Sequence, residues 1–136
     1  MKIIAASILF FAATTAVAAP PSNIANTHWT LQANRSVTSL HITSQGGAGA
    51  PGAAICQSIS GTLTDVVNVQ IRGWYCPSTG RIHFKHNNLA TDVTVRVFIG
   101  NVSDVVAGMP LLMSGTVMVD DAAFGALGEY NFSATQ

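Results

Sequence analysis

Apolar and polar residues alternate in short runs, and turn-forming residues interrupt the runs roughly every ten to fifteen positions, as in small all-β domains. Val, Ile and Thr dominate the runs. The pattern predicts eight strands, over Thr27–Asn34, Val37–Ser44, Ala53–Leu63, Val67–Pro77, Gly80–Asn87, Asp92–Val102, Pro110–Val119 and Leu127–Thr135. Alternation is clearest in Asp92–Ile99. There Val93, Val95, Val97 and Ile99 are expected to share the dry face, with Thr94, Arg96 and Phe98 on the other. One apolar face per strand suits an antiparallel sheet with a single dry side.

Asn34-Arg35-Ser36, Thr64-Asp65 and Pro77-Ser78-Thr79-Gly80 read as tight turns. Gln45–Gly52 reads as a flexible loop, and Asp120–Gly128 as a longer connection with room for a helical turn. Sequential strands without a crossover close most economically into a barrel, which leaves no exposed edge. The expected fold is all-β, an eight-stranded antiparallel up-and-down β-barrel, with a two-sheet sandwich as the alternative.

The segment from Ala53 to His86 predicts three consecutive antiparallel strands. A first turn centred on Val66 sets Cys56 opposite Cys76, Gln57 opposite Tyr75, Ser58 opposite Trp74 and Ser60 opposite Arg72. Ile55, Ile59, Val69, Ile71 and Tyr75 then share one face, and the cysteines come close enough to form a disulfide. Continuing through Pro77–Gly80 brings Ile82 to Tyr75 and His83 to Trp74. It also sets Arg72 against Lys85, an unfavourable like-charge pair.

The chain begins with Met1-Lys2, an apolar run over Ile3–Phe11, and Ala16-Val17-Ala18, the pattern of a signal peptide with a small-x-small cleavage site. Residues 1–18 are therefore expected to be removed, leaving a single domain over 19–136. The apolar run is interrupted too early for a spanning helix, which needs about 17 residues. Export to a secreted or periplasmic location would let the two cysteines form a structural disulfide. Six Lys+Arg balance six Asp+Glu with no basic run, which argues against nucleic acid or an anionic membrane as partner.

Chemistry-bearing motifs are sparse. There is no Gly-x-Ser-x-Gly, no phosphate-cradling glycine loop and no paired-thiol metal motif. Glu129 is the one glutamate, and Asp65, Asp104, Asp120 and Asp121 fall in predicted turns. The chain is accordingly expected not to be an enzyme. Histidines offer a metal alternative: His41, His83 and His86, together with His28 and Asp92, are ligand types for zinc, copper or manganese. Strand periodicity points His83 and His86 to opposite faces unless the strand breaks near Lys85. No other cofactor is expected. An eight-stranded barrel has room for one small ligand among aromatics such as Trp29, Trp74, Tyr75, Phe84 and Phe98.

Several segments, in order, resemble the avidin and streptavidin family. Trp29-Thr30 followed by Asn34-Arg35-Ser36 is similar to its opening Trp…Gly-Ser segment, and Ser60-Gly61-Thr62-Leu63 to its Thr-Gly-Thr-Tyr. Val97-Phe98-Ile99-Gly100-Asn101 resembles Thr-Trp-Ser-Gly-Gln, Leu111–Thr116 resembles Leu-Leu-Thr-Ser-Gly-Thr, and Gly128–Phe132 resembles the closing Gly-x-x-x-Phe. Ser36 matches a ligand-contacting serine of the family. Leu63, Phe98, Pro110 and Tyr130 stand where the family has other pocket residues. The resemblance thus implies an avidin-like barrel, open to self-association, with an altered pocket. With the aromatics above, the candidate ligand-binding set is Ser36, Trp74, Tyr75, Phe98 and Tyr130. The expected function is an exported, non-enzymatic binding protein for a small molecule or a protein partner. A secreted metal-binding protein and a toxin-like or structural interaction domain are the alternatives.

Overall fold

The computed structural model describes residues 18–34, 36–48, 56–64, 68–88, 91, 93–122 and 126–136. Within them, eight strands follow one another: β1 Thr27–Ala33, β2 Ser36–Ala48, β3 Gln57–Thr64, β4 Asn68–Cys76, β5 Arg81–Asn87, β6 Thr94–Val102, β7 Leu112–Val119 and β8 Gly128–Thr135. Each pairs antiparallel with its neighbour in sequence. β1 also pairs with β8, from Thr30↔Thr135 to Ala33↔Phe132, so the sheet closes into a barrel. Closure gives every strand two partners and disposes of the sandwich alternative. Residues 1–17, the turn residues Asp65 and Val66, Ile55, Asp92 and the middle of the 120–128 connection, where a helical turn was expected, lie outside the described residues.

The β3–β4–β5 register is the one the alternation implies. Gln57 pairs with Tyr75, Ser58 with Trp74 and Ser60 with Arg72; Tyr75 pairs onward with Ile82, Trp74 with His83 and Arg72 with Lys85. Cys56 and Cys76 are joined by a disulfide, with Cα atoms 3.9 Å apart. Ile59, Val69, Ile71 and Tyr75 all face the buried interior.

β2 corrects one expectation. The strand continues through Gln45 to Ala48 where a flexible loop was expected, because bulges between Ile42 and Ser44 and between Gly46 and Ala48 absorb the irregular stretch without ending the pairing. The Gln45 side chain is structural there. Its Nε2 donates to Ser22 O (2.9 Å) and to Gln57 Oε1 (2.8 Å), and its Oε1 accepts from Ile24 N (2.7 Å). These bonds help seat residues 19–26 across one end of the barrel. Ile24 is fully buried, Pro21 O accepts from the Tyr75 hydroxyl (2.7 Å), and Ala19 O accepts from Val105 N (2.9 Å).

β6 corrects a second. Its dry face carries Phe98, Gly100 and Val102, whereas Val97 and Ile99 turn outward, Ile99 with 47% of its surface exposed. The cause is a bulge. Asn87 pairs with Thr94 but His86 with Arg96, so Val95 is an extra residue and the parity of the strand changes there. Val95 stays buried while Phe98, three positions on, is buried too. Inside, Phe98 stacks on Phe84 at 4.5 Å between ring centroids, and Phe132 meets both edge-on at 5.5 and 6.5 Å. The rings have space because Gly100 and Gly115 are paired opposite each other on this face. A Cβ on Gly100 would lie 2.3 Å from Ser114 O and 3.1 Å from the Phe132 ring.

Two stability measurements test this interior. In urea unfolding of protein diluted until it is monomeric, Phe98→Ala is expected to cost about 3–5 kcal/mol by opening a core cavity, whereas Ile99→Ala stays within about 0.5 kcal/mol as a surface change. Comparable losses would reject the facing of β6. Replacing Cys56 and Cys76 together by Ala is expected to cost about 3 kcal/mol, from the unfolded-state entropy regained over a loop of this size.

Candidate functional site

The ligand-binding candidates do not gather around one cavity. Phe98 and Tyr75 are core side chains, buried to 1% and 0% exposure, and the Tyr75 hydroxyl is engaged by Pro21. Burial pushes the Tyr75 phenol up to about 12, so it stays a neutral donor. Tyr130 is half-buried at the opposite end, donating to Leu127 O at 3.2 Å. Ser36 is the exposed first residue of β2, where its hydroxyl donates to Ala33 O at 2.8 Å. It lines an open groove of about 430 Å³ together with Gln32, Asn34, Asn131 and Ser133. Trp74 points outward from β4, on the opposite side of the sheet from its neighbour Tyr75.

Nor does the fold bring His41, His83 and His86 together. Among the described residues no three His, Cys, Asp or Glu side chains form a group able to hold a metal. His83 is on the outer face of β5, stacked on Trp74 at 5.5 Å, and His86 is buried inside the barrel on the same strand, as period-two geometry requires. His41 lies on outer β2, directly opposite His28 on β1. Inside, His86 is paired across the sheet with Arg96. Burial first, and then the Arg96 charge, push the His86 imidazole below its ordinary range, with Asp121 opposing. A cationic guanidinium beside this ring also disfavours a metal cation there. Arg96 inside the barrel and the Ile99–Met118 pair of rows outside it were not legible as site features, since both depend on the β6 bulge.

The outer surface is divided. Across β1–β4 it carries Thr30, Ser39, Thr43, Ser44, Ser58, Ser60, Thr62 and Thr64, a hydroxyl-rich half. Across β4–β7 it also carries exposed apolar side chains, one on β4 and the others on β6 and β7, with His83 and Lys85 of β5 between them. One register row runs Trp74, His83, Ile99, Thr116, and the next runs Arg72, Lys85, Val97, Met118, Glu129 onto β8. Trp74, Ile99 and Met118 are 36%, 47% and 48% exposed. Val97 and Ile99 adjoin Met118 across β6–β7, and Trp74 is separated from them by the His83 ring and Lys85 of β5. Burial first, and then the adjacent Lys85 charge, lower the His83 imidazole, with a hydrogen bond to its own backbone opposing them.

Compared with known proteins, the chain matches no family model, no curated protein and no solved structure.

The buried His86 makes stability sensitive to acid. Its folded-state value is depressed, so the unfolded chain takes up the proton first, near its ordinary value of about 6.5. This contribution to stability is therefore complete above that pH and declines as the pH falls below it. In urea unfolding at pH 7 and pH 5, His86→Gln is expected to lose less stability on acidification than the parent chain. An equal loss in both proteins would show that His86 does not contribute.

Proposed function

We propose that this chain is an exported, non-enzymatic binding barrel of avidin-like type that works through its outer surface, with protein as the partner. Residues 1–18 serve in this reading as the cleaved signal peptide and 19–136 as the functional domain. The disulfide is compatible with an extracellular or periplasmic location. The observation that carries the reading is the contrast between the two sides of β4–β7. Their inner faces pack Tyr75, Phe84 and Phe98 into the core, while their outer faces leave Trp74, Ile99 and Met118 in water. A ligand at the barrel centre would have to displace that core; a partner on the outside covers what is already exposed.

The partner whose chemistry fits this face is a second copy of the chain. The row Arg72, Lys85, Val97, Met118, Glu129 runs from basic through apolar to acidic. Turned about a two-fold axis, it sets its basic end against the partner's Glu129 and apolar side chains against each other, which is the self-complementarity an isologous contact needs.

Light scattering of the oxidised protein tests this. A dimer mass is expected, reverting to monomer in the Ile99→Lys, Met118→Lys double variant. Glu129→Lys should weaken the dimer, and adding Arg72→Glu and Lys85→Glu to it should restore association. A monomer at concentrations up to about 1 mM would reject the second copy as partner.

A further inference from the structure

We propose that His28 and His41 form a two-imidazole site for a divalent transition metal, copper(II) above zinc, on the hydroxyl-rich side of the barrel. The proposal rests on a different observation from the apolar face and stands apart from it. His28 and His41 are direct cross-strand partners on β1 and β2, so the backbone holds their Cβ atoms side by side on one face. Their rings lie 3.9 Å apart between centroids and only 15° from parallel. Neither ring takes part in a hydrogen bond among the described residues, in contrast to His86, which has further interactions. Four ring nitrogens are thus available at one exposed place.

The spacing suits a shared ion. Two imidazoles bound at about 2.0–2.1 Å have their ligating nitrogens about 3.3 Å apart on a tetrahedral zinc and about 2.9 Å apart at cis positions of a tetragonal copper(II). The near-parallel rings must each change rotamer and turn toward one another before their in-plane lone pairs converge on one ion; His28 is exposed and His41 half-buried on the outer face, so that rotation leaves the core undisturbed. The flanking Thr62 and Thr43 bring no charge to repel a cation, and Arg72 and Lys85 lie on other rows of the sheet. Two protein ligands leave the remaining coordination positions to water, which makes this an open site and not a closed structural one. Copper(II) should bind most tightly, because imidazole is a good ligand for it and it leads the divalent series.

Calorimetric titration of the disulfide-intact chain with copper(II) and with zinc, each alone, tests the site. One ion per chain with micromolar affinity is expected, copper tighter than zinc. His28→Gln and His41→Gln should each weaken binding about tenfold or more, because the second imidazole no longer binds intramolecularly. His83→Gln should leave it unchanged. In the parent protein, imidazole ¹H–¹⁵N spectra should show substoichiometric copper broadening His28 and His41 before His83 and His86. Unchanged affinity in both single variants, broadening that begins at another histidine, or no binding at micromolar metal would overturn the proposal.

Discussion

The packing of Phe84, Phe98 and Phe132 in the barrel interior is the interaction on which the rest of the molecule turns. The three rings come from β5, β6 and β8, so they tie together strands on both sides of β7. Each ring has roughly 150–250 Å² to bury, worth several kcal/mol at about 25 cal/mol per Å². Placing Phe98 inside determines the parity of β6 from Arg96 onward. Gly100 then comes opposite Gly115, where a side chain would strike neighbouring backbone, and Asn101 goes to water. The bulge at Val95 reconciles that parity with the apolar start of the strand, because Val95 is buried without forcing Phe98 out.

One consequence lies on the other side of the same strand. With Phe98 inside, Val97 and Ile99 must be outside, next to Met118 of β7 and in line with Trp74 and His83. The exposed apolar face is therefore not an accident of composition. Its positions are the reverse of the aromatic core, fixed by the parity that places Phe98 inside. Around it the barrel is held by devices that do not touch it: the Cys56–Cys76 bond, and the segment over residues 19–26 whose Ile24, Pro21 and Ala19 close one end.

Much of the scaffold was legible from the chain because the relevant interactions are local. The Pro77–Gly80 turn and the cysteine spacing are enough to align β3, β4 and β5, since a hairpin register follows from its turn and a slip of one residue would expose Ile59, Ile71 and Tyr75 together. The surface was not legible. Alternation says that two sets of residues lie on opposite faces without saying which is dry, and over Val93–Ile99 four aliphatic residues point to one answer while a single phenylalanine and a bulge impose the other beyond Val95. Gln45 was misread for a related reason. Glycines beside it suggest a loop, but pairing with β3 continues past two bulges.

The sequence by itself determined the all-β class, the number and order of the strands, and the disulfide register, because each depends on short-range patterning and on neighbours along the chain. Only the tertiary structure decided between closure of β1 on β8 and a two-sheet sandwich, that Phe98 is core and Ile99 surface, and that His28 stands beside His41. Those outcomes depend on volume and closure. A barrel interior accommodates a limited set of side chains drawn from all its strands at once, and which residues win that space is settled by their joint packing rather than by any one strand's pattern.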